Sequence, residues 1–126
     1  MEYVKTKKAP KAIGPYSQGT KSNGLLFTSG QIAINPFTNK IEYWTIEEQT
    51  AQVCINIQEI CKEAGTDIDN TVKTTCFLAD MNDFERFNKM YKIYFRNNPA
   101  RSCVAVKSLP KGVLCEIEAI VELSKE

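Results

Sequence analysis

Asn97-Asn98-Pro99-Ala100-Arg101-Ser102-Cys103-Val104-Ala105-Val106 holds the change of pattern on which the reading of the fold turns. Upstream of it Phe84, Phe87, Tyr91, Tyr94 and Phe95 recur at helical spacing behind Asn82, which stands where a helix cap is expected. A stripe of this kind reads as packing. Pro99 breaks the helix, and the apolar run behind it reads as a strand with Arg101 and Cys103 on one side. A guanidinium at a strand entrance is either a solvated charge or an anion clamp. In a cleft it selects a small carboxylate, because arginine keeps its charge and grips two oxygens by parallel N–H···O bonds.

Working outward, a strand is predicted over Thr71–Ala79, with Val72, Thr74, Cys76 and Leu78 on one side and Lys73, Thr75, Phe77 and Ala79 on the other. Before it a Thr45-x-x-Glu48 capping box opens a helix over about 46–64, and Gly65 closes it. Ile46, Thr50, Val53, Cys54, Ile57, Ile60, Cys61 and Ala64 form its apolar face, which makes Cys54 and Cys61 core residues. A further strand over Leu25–Ile34 is interrupted at Ser29-Gly30, where a bulge or a close approach by a ligand or backbone is expected. Asn35–Lys40 then reads as a hairpin turn, whereas the first twenty residues are polar and turn-rich. Within them Gly14–Gly19 has a composition that suits a site better than a core.

Downstream, Leu109-Pro110-Lys111-Gly112 turns the chain into a last strand. In it Val113, Cys115, Ile117, Ala119, Val121 and Leu123 alternate with Leu114, Glu116, Glu118, Ile120 and Glu122. If residues 101–106 and 113–123 pair as a hairpin, a carboxylate meets Arg101 only in certain registers; the other possible partner lies across a subunit boundary. The order strands, helix, strand, helix, strands predicts a single α+β domain over residues 1–126, with one sheet and both helices on one face. The Val113-Cys115-Ile117-Ala119 side meets the helices. The opposite side mixes Leu114 and Ile120 with three glutamates, which points to burial against another subunit with a polar site at the seam.

Composition narrows the chemistry. Sixteen basic against fifteen acidic residues give a net charge of +1, which argues against a nucleic-acid-binding surface. Five cysteines, at 54, 61, 76, 103 and 115, are odd in number and form no Cys-x-x-Cys pair, so neither a disulfide framework nor a zinc ribbon is expected. They fit a reducing, cytoplasmic compartment. No apolar core follows the N-terminal lysines and no run reaches membrane-span length, so no membrane association is expected. The absence of histidine leaves acid–base work to carboxylates, Tyr, Lys, Cys or bound water.

Gly14-Pro15-Tyr16-Ser17-Gln18-Gly19, Thr28-Ser29-Gly30-Gln31, Asn35-Pro36, Glu63-Ala64-Gly65, Val72-Lys73-Thr74-Thr75, Met81-Asn82-Asp83-Phe84, Pro99-Ala100-Arg101-Ser102-Cys103-Val104 and Glu116-Ile117-Glu118-Ala119-Ile120 follow one another along nearly the whole chain. In that order they resemble the reactive intermediate deaminase (Rid, YjgF) family. Arg101 in its Pro-Ala-Arg-Ser-Cys-Val setting, together with Glu116, resembles the archetypal subgroup, whose members hydrolyse 2-iminobutanoate and 2-iminopropanoate to 2-oxo acids.

The resemblance implies a chorismate-mutase-like fold, a mixed sheet, and a homotrimer with active sites between subunits. It implies that Arg101 binds the substrate carboxylate and Glu116 holds and activates the hydrolytic water. Tyr16, Ser29, Gly30 and Asn88 are implied to line the pocket, with Cys103 contributing mainly through its backbone; no metal or organic cofactor is implied. The implied role is removal of enamines and imines released by pyridoxal-phosphate enzymes such as threonine dehydratase. Other roles attached to this fold are non-catalytic small-carboxylate binding, a stress-related holdase, and an RNA-cleaving translation inhibitor, which the near-neutral charge disfavours. For Glu116 two effects oppose one another, burial raising its pKa and a nearby Arg101 lowering it.

Three features depart from the family pattern: a short Phe95–Asn98 segment, Ile41-Glu42-Tyr43-Trp44 in place of a small polar connection before the first helix, and Cys115 in place of an aliphatic residue.

Overall fold

Helix α1 (Ile46–Glu63) starts at the predicted capping box. Thr45 Oγ1 accepts from the Glu48 N–H at 3.2 Å and donates to the Glu48 carboxylate at 2.8 Å. It ends in a Schellman turn, in which Thr66 N–H donates to Cys61 O at 2.9 Å and Gly65 N–H to Lys62 O at 3.1 Å. Gly65 takes φ +85° there, a conformation that glycine adopts without steric cost. Val53, Cys54, Ile57, Ile60 and Cys61 are fully buried along its inner face. The computed structural model of the protein describes residues 1–124.

Helix α2 (Phe84–Tyr94) is preceded by a 3-10 turn over Met81–Asp83, which moves the capping position upstream. Asp80, not Asn82, is therefore the cap, its Oδ1 accepting from the Asn82 N–H at 2.8 Å. Phe95 lies just past the helix and stacks on Tyr91 at 4.6 Å.

Six strands form the main sheet: β1 (Glu2–Val4), β2 (Gly19–Ser22), β3 (Leu25–Thr28), β6 (Thr71–Leu78), β7 (Ala100–Ala105) and β8 (Cys115–Glu122). Their order is β1-β2-β3-β8-β6-β7, while β4 (Ile34–Asn35) and β5 (Lys40–Ile41) make a separate hairpin around the predicted turn. β6 and β7 run parallel with α2 as their crossover, and the other pairings are antiparallel, so the sheet is mixed. β8 lies between β3 and β6. The conditional hairpin between residues 101–106 and 113–123 does not form, because β6 occupies the place between them. Pairing β8 with β6 sets Cys115, Ile117 and Ala119 beside Leu78, Cys76 and Thr74, all buried, whereas β7 is mostly exposed and takes the edge.

The N-terminal region holds more strand than its composition indicates. Asn23 and Gly24, at φ +53° and +78°, form the two-residue turn that matches strand twist and joins β2 to β3. The predicted strand over 25–34 is split at the predicted interruption. Phe27 pairs with Ile120 and Gln31 bridges to Ile117, so Thr28, Ser29 and Gly30 stand opposite only Glu118 and Ala119. Thr28 Oγ1 accepts from the Ala119 N–H at 3.0 Å and satisfies the amide that the bulge leaves without a carbonyl. A second irregularity between Thr71 and Lys73 separates Val72, 48% exposed, from Thr74, Cys76 and Leu78, with which it is predicted to share a side and which are buried.

Both helices cover one face of the sheet. Thr50 of α1 sits 3.7 Å from Cys115 Sγ, and Tyr91 of α2 shares a 2.6 Å hydrogen bond with Thr74. Gln49, fully buried, donates to Tyr43 O at 3.0 Å and accepts from Leu114 N–H at 2.8 Å, tying the approach to α1 to the approach to β8. Gln49→Leu removes both bonds and leaves an amide and a carbonyl without these partners. Urea denaturation is expected to register a loss of about 3 kcal/mol, and an unchanged midpoint would refute the bridge as a stabilising element.

Candidate functional site

Arg101 of β7 lies in register with Thr74 of β6, which is in turn in register with Ala119 of β8. All three side chains therefore project toward the helices. On α2, Phe84, Asn88 and Tyr91 fall at i, i+4 and i+7 and share one face. That face receives the guanidinium: Nη1 donates to Asn88 Oδ1 at 2.8 Å, and Cζ lies 4.9 Å from the Tyr91 ring centroid and 5.4 Å from that of Phe84. The chain has three arginines. Arg86 forks onto Glu47 at 2.7 and 2.8 Å, and Arg96 pairs with Asp69. Among the described residues, no carboxylate lies within ion-pair distance of Arg101. It is a partly buried cation with neutral supports only.

Cys103 follows on the same side of β7, partly buried and in register with buried Cys76. Its thiol is lowered to about 7 by hydrogen bonding with the Cys76 thiol and then by the Arg101 charge, against desolvation. The same hydrogen bond and burial push the Cys76 thiol up. Cys54 and Cys61 are buried in the core as expected.

Glu116 is in register with Phe77 and, through it, Val104, on the face away from the helices. Its carboxylate lies over the backbone of Gly30, where a Cβ would collide with Glu116 Oε2. Only glycine permits this approach. Burial raises the Glu116 pKa, and the Glu118 charge adds to the rise. The opposing Arg101 effect is absent within one chain, because the two side chains project from opposite faces. Ser29 is anchored through its N–H to Gln18 O at 2.9 Å and its hydroxyl to Ser17 O at 2.5 Å. Tyr16, 53% exposed, accepts from the Ile13 N–H at 3.4 Å. Gln18 is the hub of this loop: buried, it accepts from Thr6 N–H at 2.7 Å and donates to the carbonyls of Thr6, Ala9 and Pro10.

The predicted residues thus form two groups. Asn88, Arg101 and Cys103 gather under α2, while Gly30 and Glu116 sit on the open face with Ser29 and the Tyr16 loop alongside. Surface depressions of about 360 and 160 Å³ lie elsewhere, lined by residues such as Lys21 and Leu123 in one and Phe37 and Ile55 in the other. Neither contains a predicted site residue. Reading the aromatic stripe as packing overlooked Phe84 and Tyr91 as supports of Arg101; the i, i+4, i+7 spacing with Asn88 is the signal that identifies them. Among the described residues no cluster of three or more His, Cys, Asp or Glu is placed to hold a metal ion, and no helix is long and apolar enough to cross a membrane.

A family model described as Endoribonuclease L-PSP matches residues 6–123. The chain is 52% identical over 124 residues to a Lactococcus lactis protein named as a regulator, AldR, with 98% of each chain covered. It is 46% identical over 118 residues to human 2-iminobutanoate/2-iminopropanoate deaminase, covering 93% of this chain and 86% of that one. The crystal structure of Escherichia coli TdcF with bound serine superposes with a TM-score of 0.93 at 40% identity, covering 98% of this chain and all of the other.

The Glu116–Gly30 geometry is tested by titrating the Glu116 carboxyl by carbon NMR. The wild-type group is expected to titrate above the ordinary glutamate value of about 4.3, and Gly30→Ala is expected to push the carboxylate outward and bring its pKa down toward that value. An ordinary wild-type titration, or one unmoved by Gly30→Ala, would contradict the arrangement.

Proposed function

Because the chain belongs to the Endoribonuclease L-PSP (YjgF/Rid) family, we propose that it hydrolyses small 2-imino acids, 2-iminobutanoate and 2-iminopropanoate among them, to 2-oxo acids and ammonia. The observation that carries this reading is Arg101, a partly buried guanidinium supported by an amide oxygen and two ring faces. Such a cation lacks an anion, and a substrate carboxylate supplies one. The human relative is named for this activity, and the TdcF relative is described with serine, itself an α-amino carboxylate.

The reaction makes modest demands on the protein. The imine carbon is already electrophilic, so fixing the carboxylate and presenting one water supply most of what is needed. Glu116 takes a proton from that water as the oxygen bonds to C2, and the C=N electron pair moves to nitrogen, which takes that proton from the Glu116 carboxyl. The tetrahedral carbinolamine then collapses: its hydroxyl proton passes by way of Glu116 to nitrogen, the C–N bond breaks, and ammonia departs as the C2=O bond of the 2-oxo acid forms. No electrons are exchanged with an outside group. A Glu116 with a raised pKa is a stronger base than an exposed glutamate, and Arg101 brought across from another chain tempers that rise.

Arg101 and Glu116 leave opposite faces of one sheet, so a cleft containing both is made by two chains. We assign it to a homotrimer in which the β7–α2 edge of one subunit meets the open sheet face of the next. Phe27 at 39% and Val104 at 48% exposure leave apolar surface on that face for such contact. In this cleft Tyr16, Ser29, Gly30 and Glu116 of one subunit oppose Asn88, Arg101 and the Cys103 backbone of the other. The ribonuclease activity named in the family model finds less support in a chain of net charge +1 without histidine.

Coupled to threonine dehydratase, the wild-type protein is expected to speed decay of the imine, with Arg101→Ala lowering kcat/KM roughly 100-fold through loss of the buried charge pair. Equal decay with Arg101→Ala, or none with wild type, would remove the deaminase reading; binding of 2-oxobutanoate without turnover would assign a non-catalytic carboxylate binder. Sedimentation is expected to give about three times the 14.2 kDa chain mass, and a monomer would contradict the shared cleft.

A further inference from the structure

Arginine has a long, flexible side chain, and ordering it costs rotamer entropy. A carboxylate clamp is therefore effective only if the fold holds the guanidinium before the ligand arrives. The surroundings of Arg101 contain such a device, and most of it lies outside the residues assigned above. Tyr91 lies under the guanidinium at 4.9 Å and is 7% exposed. Phe87 at 5.7 Å and Phe95 at 4.6 Å flank its ring. Its hydroxyl shares a 2.6 Å hydrogen bond with Thr74, itself 1% exposed. Thr74 is the register partner of Arg101 on the neighbouring strand.

These contacts close a circuit. The backbone of Arg101 is paired beside Thr74, Thr74 pins the Tyr91 hydroxyl, and the Tyr91 ring receives the Arg101 guanidinium. Strand register and guanidinium position are thereby tied together. Asn88 occupies Nη1, and among the described residues Nε and Nη2 have no hydrogen-bond partner. Burial pushes the Tyr91 hydroxyl up to about 12, so it remains a neutral hydrogen-bonding group over the working range.

We infer that the Tyr91 ring makes Tyr91 a positioning residue that holds the Arg101 guanidinium with its Nε–Nη2 edge open to the substrate carboxylate. The inference rests on the deaminase reading for its ligand, but the preorganisation itself exists without any ligand. It makes Arg101→Lys a poor replacement despite the conserved charge, since an ammonium offers neither the flat face nor the fork.

The test uses the full-length protein and two independent readouts. In the first, without ligand, the Arg101 Nε–H signal in NMR is expected to show a ring-current shift and rigid-body relaxation. Tyr91→Phe should largely keep both, whereas Tyr91→Leu should lose both while thermal unfolding confirms that the variant is folded. In the second, Tyr91→Leu is expected to weaken 2-oxobutanoate binding and raise KM for the imine roughly tenfold, with kcat within about twofold and Tyr91→Phe within about threefold of wild type in KM. In an Arg101→Lys background Tyr91→Leu should add little, because the group it positions is gone. A rigid Arg101 signal in folded Tyr91→Leu, or equal losses in the Phe and Leu variants, would overturn the inference. A wild type with an ordered Arg101 but neither binding nor turnover would instead overturn the deaminase reading and leave the positioning role established.

Discussion

β6 stands between β7 and β8, and side chains alternate between the two faces of a sheet. Those two constraints settle where every charged group of the candidate site goes. Thr74, Cys76 and Leu78 of β6 must face the helices to complete the core, which sends Arg101 and Cys103 of β7 to the same side by register. Cys115, Ile117 and Ala119 of β8 obey the same demand, which sends Glu116, Glu118 and Glu122 to the other. A slip of one residue in the β6–β8 ladder would bury the glutamates and expose the core, and one in the β6–β7 ladder would turn Arg101 and Cys103 away from the helices, so the arrangement is strongly specified.

The parts of this arrangement that depend on neighbouring residues in the chain are legible in the sequence. The Thr45 box, the Gly65 terminus, the apolar face of α1 and the interruption at Ser29-Gly30 are local patterns with local causes, and each forms where expected. Parts that depend on which strand pairs with which are not. Whether residues 101–106 meet 113–123 is decided by the burial that β6 gains in the centre of the sheet, a competition between distant segments that no short window displays. The same limit explains Gly30. Its presence marks a bulge, but its collision partner is Glu116 only because the β3–β8 register brings them together. Asn82 illustrates a smaller failure: a 3-10 turn ahead of α2 moves the cap to Asp80, and both residues are chemically suited to capping.

The site residues are half legible for a related reason. Arg101 and Glu116 are chemically conspicuous, and a family resemblance assigns them roles. Tyr91 and Thr74 are inconspicuous, since an aromatic at helical spacing and a threonine in a strand are ordinary core residues. What distinguishes them is a cation placed on the ring and a hydrogen bond between them, both of which require β7 and α2 to be adjacent.

The separation of charges has a consequence for affinity. Arg86 and Arg96, each with a carboxylate in reach, are internally neutralised, and a ligand would have to displace that partner to bind either. Arg101 avoids such competition because alternation removes the β8 glutamates from its face, while Asn88 and the ring faces offset part of its desolvation without cancelling its charge. A glutamate able to reach it within the chain would close the salt bridge and leave neither group free for catalysis. In the proposed cleft between chains, the two groups meet across a gap, with carboxylate at one side and water at the other. The spacing between clamp and base is then set by packing of whole subunits, which is stiffer than the flexible side chains that carry them. Placing Arg101 and Glu116 on opposite faces of one sheet is thus what prevents them from neutralising each other within one chain.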